Sequence, residues 1–254
     1  MRANRFFMLA IVAIIAPWAL TFRARGDDDV AKKFDDANRL YDEAKYTDAE
    51  KLYASIVSGG RYSPELFYNL GNTEFRLEKS GAAILNYERA QSLSPGNPEI
   101  AANLAYVRGQ TGARIAEKDW RDEAVMNFST NNYTLLAAVA VWLAIFSMAA
   151  ILFGMRSRAM VLALAALCCA AVAGYAVFAI WHLEKNDALA IVMAKSVEAR
   201  HAPADNSTLA ATLPLGSRVW ILELRGPWAH CRLPDNTEAW ISADAIERVR
   251  LQNS

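Results

Sequence analysis

The sequence predicts a multidomain membrane protein made of an α-solenoid, a transmembrane helical hairpin and a small all-β barrel, in that order along 254 residues. Three observations predict it. Two apolar runs, Leu135 to Phe153 and Ala159 to Trp181, follow one another across only Gly154, Met155, Arg156, Ser157 and Arg158. Upstream of them, small and aromatic residues recur at a spacing of 34. Downstream, short β-branched and aromatic runs alternate with turn residues.

Bulk properties exclude some functions. Lys and Arg number 27, as do Asp and Glu, so the formal charge is zero, and 54% of the residues are hydrophobic. With no basic excess to displace counterions from phosphates, nucleic acid is not an expected partner. Of the three cysteines, Cys168 and Cys169 sit inside the second apolar run and Cys231 lies near the C-terminus. The adjacent pair reads as small apolar residues of a span, and Cys231 has no partner in its own domain, so no disulfide framework is expected.

Residues 1–26 place Arg2 and Arg5 before the apolar run Phe6 to Leu20, the layout of an export signal. Ala24 is the best candidate for a small residue at a cleavage site, and Pro17 shortens any helix here. A cleaved signal peptide and an uncleaved N-terminal anchor both stay open, and either puts Gly26 onward outside the cytoplasm.

Residues 27–113 carry the repeat. Ala37, Ala49, Tyr53 and Ile56 return as Gly71, Ala83, Tyr87 and Ala90, each 34 residues on. A fixed period of that length, with small residues at two crossing points, predicts paired helices stacked into a solenoid. Gly71 and Ala83 let two helices approach, and Phe67, Leu70, Tyr87 and Leu93 are expected to fill the space between them. Pro95 should end one helix, Gly96-Asn97 make the turn and Pro98 open the next.

Residues 114–134 form a charged connector in which Trp120 and Tyr133 are candidate interfacial anchors. The apolar runs at 135–153 and 159–181 are each long enough to cross a hydrocarbon core of ~30 Å as a helix, and neither contains an ionised side chain. The loop at 154–158 carries Arg156 and Arg158, which places it in the cytoplasm. Both soluble parts then face the same outer compartment, so the expected location is the inner cell membrane, multi-pass, with periplasmic N- and C-terminal domains.

Residues 186–250 change period. Ala188 to Ala194, Arg218 to Leu224, Trp228 to Leu233 and Thr237 to Ser242 read as strands, broken by Pro214-Leu-Gly216, Gly226-Pro227 and Pro234-Asp-Asn236. That turn chemistry and spacing predict a small closed or nearly closed β-barrel.

Two local resemblances sharpen this. Pro64-Glu-Leu-Phe-Tyr-Asn-Leu-Gly-Asn72, continued by Ala83, Tyr87, Ala90 and Pro95, resembles a tetratricopeptide repeat; Val30 to Arg61 resembles a second, with Ala37 where glycine is usual. A third first-helix from Pro98, with Leu104 and Ala105 in signature places, caps the pair. The resemblance implies a concave groove for extended peptides or partner helices, lined by Asn38, Tyr41, Tyr68, Asn72, Phe75, Arg76 and Tyr106. Asn38 and Asn72 match the asparagines of a carboxylate clamp, but Ala102 and Tyr106 stand where its cations would be, so a groove for a protein surface is implied instead. Tyr41, Phe75 and Tyr106 either line that groove or pack the solenoid.

The pattern Leu215-Gly216-x-x-Val219-x-Ile221, Trp228, Leu233-Pro234-Asp235, Trp240-Ile241 and Ile246 resembles a bacterial SH3 domain. That family binds cell-wall peptide stems or proline-containing peptides, which implies a cleft at Glu198, Arg200, Trp228, Asp235 and Trp240, with Trp240 otherwise a core residue. The order of parts as a whole resembles the BatE-like family of aerotolerance-operon membrane proteins. This implies assembly with von Willebrand factor A-type membrane proteins and a MoxR ATPase system.

No catalytic constellation shows. His230 and Cys231 are neighbours on a predicted strand and so point to opposite faces, which opposes a dyad. His201 and His230 lack metal-ligand spacing, and no phosphate loop or nucleophile elbow occurs. The sequence thus favours a scaffold without cofactor or metal, and, as the alternative, a cell-envelope anchor or sensor that binds peptidoglycan.

Overall fold

The computed structural model describes residues 28–116, 125, 128, 130–152, 159–184 and 188–251. The expected export segment, Trp120 and the arginine-bearing loop therefore lie outside the described residues. Among the described residues, seven α-helices precede a C-terminal seven-stranded antiparallel sheet.

Helices α1 (28–42), α2 (Tyr46–Ser58), α3 (Pro64–Arg76), α4 (Ser80–Leu93) and α5 (Pro98–Thr111) form a helical domain. Their ends follow from local chemistry. Ser63 accepts a hydrogen bond from the Leu66 amide at 3.1 Å and Pro64 takes the first helical position, where its missing N–H costs nothing. Asn97 repeats the arrangement before Pro98, accepting from the Glu99 and Ile100 amides at 2.9 and 3.3 Å. Asn97 is thus a cap rather than merely a turn residue.

The period of 34 extends to the backbone. Ala44 and Glu78, one period apart, both have positive φ, 57° and 61°. Each closes a helix by the same pair of bonds: Ala44 N–H to Tyr41 O and Lys45 N–H to Leu40 O, then Glu78 N–H to Phe75 O and Lys79 N–H to Glu74 O. This is the Schellman closure, here with non-glycine residues in the left-handed position.

The expected core residues are buried: Ala37, Ala49, Tyr53 and Ile56 in the first unit, Ala83, Tyr87 and Ala90 in the second. A Cβ on Gly71 would lie 2.9 Å from two Tyr87 ring carbons, so only glycine permits this crossing. One expectation fails. Leu93 is 40% exposed because α4 ends with it, beyond the reach of α3.

Helices α6 (Thr130–Leu152) and α7 (Ala159–Glu184) pack against each other. Their mean hydropathies of 2.6 and 2.4, and their length, are enough to cross a membrane. Helix α6 starts earlier than the predicted Leu135. It thereby includes Tyr133, which is buried rather than lipid-facing: its hydroxyl donates to Val125 O at 3.2 Å and its ring meets Phe128 and Tyr175 edge-on.

The strands are β1 (Leu189–Val192), β2 (Ser196–Arg200), β3 (Leu209–Pro214), β4 (Arg218–Arg225), β5 (Trp228–Arg232), β6 (Glu238–Ser242) and β7 (Ile246–Arg248), in sheet order β3-β2-β6-β5-β4-β1-β7. Alternate side chains, among them Ala190, Val192, Val197, Ala199, Leu213, Val219, Ile221, Ala229, Cys231 and Ile241, gather in one buried cluster, so the sheet curls around them. Strands β2 and β3 were not among the predicted runs. Their sequences, Ser-Val-Glu-Ala-Arg and Leu-Ala-Ala-Thr-Leu-Pro, are rich in alanine and charge and have little strand propensity of their own.

The two domains are docked. Helix α4 is buried on every side from Ala83 to Ala90, between α3 and α5 on one face and the β domain on the other. Ala83, Ile84, Leu85, Tyr87, Leu104 and Val107 share one apolar cluster with Ile191 and Val249.

Candidate functional site

The first candidate surface is carried by the first helices, α1, α3 and α5. Asn38 Oδ1 accepts from the Tyr53 hydroxyl at 2.6 Å and from Asn69 Nδ2 at 2.9 Å. One period on, Asn72 Oδ1 accepts from the Tyr87 hydroxyl at 2.6 Å and from Asn103 Nδ2 at 3.0 Å. These are two copies of one Asn–Tyr–Asn triad, each tying a first helix to its own second helix and to the next first helix. Sequence reasoning found Asn38, Tyr53, Asn72 and Tyr87 but missed Asn69 and Asn103. Their own spacing of 34 is the signal that would have revealed them.

The triad decides what the asparagines can offer a ligand. Both side-chain oxygens are engaged, so Asn38 and Asn72 present only amide N–H donors, which have no acceptor among the described residues. The tyrosines are structural: burial pushes the Tyr53 hydroxyl up to about 12 and Tyr87 higher still, so both stay neutral donors.

The aromatic members divide. Tyr41 packs on the core of the first unit and meets Tyr46 edge-on at 5.3 Å. Tyr68 and Phe75 pack partly against the α4 cluster, and the Tyr68 hydroxyl accepts from Asn103 at 3.1 Å. Tyr106 stays 61% exposed, edge-on to Phe75 at 5.8 Å. Arg76 is exposed beside the Tyr41 hydroxyl, whose hydrogen bond strengthens its hold on the proton. The solvent-facing chemistry is therefore Arg76, Tyr106 and two amide donors.

The second candidate, on the β domain, does not hold together as one cleft. Register places Arg200 opposite Trp240, Trp240 opposite His230 and His230 opposite Glu223, forming one row across β2, β6, β5 and β4. Trp240 lies on the outer side of the sheet, absent from the core cluster. It is 9% exposed because His230 stacks on it at 4.7 Å and Arg225 lies 5.2 Å from its ring centre. Glu198 pairs with Arg200, and Trp228 sits one step along β5, opposite Arg225 and Ser242. Asp235 belongs elsewhere: it lies in the β5–β6 turn, at the other end of β5 from Trp228, and accepts from the Thr237 amide and hydroxyl at 3.0 and 2.6 Å. Those bonds hold its carboxyl below the usual range, and its neighbours are Ala113, Arg114 and Ile115. Asp235 is a turn-forming residue, set apart by hairpin geometry from the other residues of the cleft that the resemblance implies.

Between the two domains lies a polar seam that sequence reasoning missed. Glu88, almost wholly buried, is gripped through both oxygens by Arg218 at 2.6 and 2.7 Å and is also paired with Arg108. Burial and the nearby Arg218 pull the Arg108 guanidinium down to about 9, which leaves it charged at neutral pH. The adjacent Arg89 donates to the Val249 and Arg248 carbonyls at 3.1 Å each, to Glu247 at 2.8 Å and to Asn86 Oδ1 at 3.3 Å. Asn86 in turn donates to Glu74 at 2.8 Å, and burial pushes that carboxyl up to about 7. The connector joins the seam, with Arg114 N–H donating to Ser217 Oγ at 2.9 Å and Arg114 O accepting from the Arg218 amide at 3.0 Å.

Cys231 is buried and its thiol is pushed up to about 12 by that burial, so it is inert at neutral pH. Among the described residues no group of three or more His, Cys, Asp or Glu is placed to hold a metal. No family model, no curated protein and no solved structure matches the chain.

Proposed function

We propose that this protein is a non-enzymatic scaffold of the inner membrane. A groove of the tetratricopeptide kind, on α1, α3 and α5, takes up a protein partner outside the cytoplasm, and α6 and α7 fix that contact at the bilayer. By resemblance to the BatE-like family, the partner is a von Willebrand factor A-type membrane protein, with a MoxR ATPase system behind it.

The observation that supports this reading is an asymmetry of the helical domain. The second-helix side of α4 is taken by the β domain, whereas the first-helix side keeps Arg76, Tyr106 and the Asn38 and Asn72 amide donors facing solvent. One cation, one aromatic anchor and spaced donors suit an acceptor-rich protein segment. Cross-linked co-purification from native membranes tests it, comparing the intact chain with Arg76→Glu combined with Tyr106→Ala. Both side chains are exposed, so the fold should survive. Loss of a von Willebrand-type partner supports the groove, and its retention would move recognition to another surface.

A second reading, a cell-envelope anchor whose SH3-like domain binds peptidoglycan, is favoured by the row of Arg200, Trp240 and His230 with Trp228 beside it. It requires the solubilised full chain to sediment with cell-wall sacculi, and Trp228→Ala to abolish that.

A further inference from the structure

We propose that the β4–β5 turn of the β domain is a foot that rests in the headgroup layer of the bilayer, with Leu222 and Leu224 as its apolar contacts. The inference rests on α6 and α7 being membrane spans.

The turn is unlike the rest of the β domain. Leu222 through Pro227 are consecutively exposed, and Leu222 and Leu224 are 45% and 55% accessible. Leu224 pairs with Ala229, whose own side chain is fully buried, so it stands on the side of the sheet that elsewhere faces the core. The core cluster nevertheless stops at Ile221. A shift in register between Ile221 and Glu223 gives β4 the extra residue that leaves Leu222 outside as well. Trp228 and Arg225 flank the pair, residue types that place an apolar body in lipid and a polar end in water.

Chain length and register bring this turn to the membrane. Helix α7 ends at Glu184 and β1 begins at Leu189. At no more than ~3.5 Å per residue, β1 starts within roughly 18 Å of the end of the span. Strand β1 leads away from that point, and β4 returns antiparallel to it: Arg218 lies opposite Ile191 and Trp220 opposite Leu189. Past Trp220, β4 has no further partner on β1 and runs on through Leu222 and Leu224 to Arg225. The other end of β4 is occupied, since Ser217 and Arg218 are tied to Arg114 and Glu88 of the helical part. The free, greasy end is the one nearest the bilayer.

The chemistry of the patch selects the lipid class. Arg225 is paired with Glu223 at 3.2 Å, so the foot carries no net positive charge to favour anionic headgroups. Contact is apolar and should persist in zwitterionic lipid and at high salt.

The test uses the full chain in phosphatidylcholine nanodiscs with Cys168→Ala and Cys169→Ala; Cys231 stays, because it is buried and unreactive. An environment-sensitive fluorophore is attached in turn at Leu224→Cys, Arg225→Cys, Leu167→Cys within α7 and Ser55→Cys on the helical domain, with fractions of lipid bearing one quencher near the headgroup and another deep on the acyl chain, the latter reading position 167. The expected result is blue-shifted emission and loss of most signal at position 224, partial loss at 225, strong loss at 167 and none at 55, unchanged by salt. Emission at 224 and 225 matching that at 55, with 167 still quenched, would overturn the foot while leaving the spans intact. An unquenched 167 would overturn the span reading and the foot with it. Quenching at 224 that appears only with anionic lipid would refute the apolar contact.

Discussion

Replacing Glu88 by glutamine should separate the two domains. The side chain is buried and is the shared counter-charge of Arg218, which holds it through two short bonds, and of Arg108. Glutamine keeps the volume but removes the charge, leaving two guanidinium groups facing each other in a seam where burial already weakens the charge of Arg108. Breaking one partner of a buried ion pair costs about 3–5 kcal/mol, most of it the penalty of a stranded charge. Part of this falls on Arg218, which is more accessible than Arg108 and can turn toward water, so the low end, about 3 kcal/mol, is expected. The reporter is tryptophan emission in a chain whose Trp18, Trp120, Trp142 and Trp181 are replaced by phenylalanine: the other three, Trp220, Trp228 and Trp240, all lie in the β domain, and residues 28–116 contain none. With Glu88 in place, urea unfolding followed by that emission and by hydrogen exchange of α3 and α4 should coincide. In Glu88→Gln the two should part, with faster exchange in β7 and the end of α4. A shift under about 1 kcal/mol, or transitions that still coincide, would refute the idea that this ion cluster fastens the domains.

Two further outcomes follow from the same seam. The Glu74 carboxyl is raised from its ordinary 4.5 to about 7 by burial, with Glu50 on α2 opposing its charge and Asn86, Arg89 and Lys79 favouring it. Because the folded value is the higher one, the contribution of this group is fully present below about 4.5 and is lost as pH rises through about 7, by on the order of 3 kcal/mol. Glu74→Gln should therefore stabilise the helical domain at pH 8 and flatten its stability between pH 5 and 8 in urea titrations; an unchanged pH profile would contradict the burial argument. Gly216 has φ of 82°, and a Cβ there would lie 2.3 Å from the Ile84 side chain across the seam. Gly216→Ala should loosen docking by about 1–3 kcal/mol, and Ile84→Ala in the same chain should recover part of the docking loss, measured as exchange protection of β7.

Coarse architecture was legible because it is written in local periods. The spacing of 34 announced the paired helices, and it proves to govern backbone closure at Ala44 and Glu78 as well as side-chain bonding at Asn38 and Asn72. The two apolar helices were visible from hydropathy alone, and the strongest strands from β-branched residues. What stayed hidden depends on contacts distant in sequence. Glu88 and Arg89 are ordinary helix residues until Arg218 and the Val249 carbonyl arrive beside them. Strands β2 and β3 form because Val197, Ala199 and Leu213 fit the curled sheet, not because their sequences prefer extension. The candidate cleft on the β domain, implied by a resemblance and not by contacts, mixed residues from opposite ends of one hairpin, Trp228 and Asp235.

The most direct test of the scaffold reading is site-specific photo-cross-linking in native membranes, with a photoreactive residue at position 106 on the open face and, separately, at position 93 at the end of α4. A von Willebrand factor A-type membrane protein captured from position 106 and not from position 93 is the expected result. Capture from position 93 alone, or no adduct from position 106 in membranes where that partner is abundant, would contradict a recognition groove on the first helices.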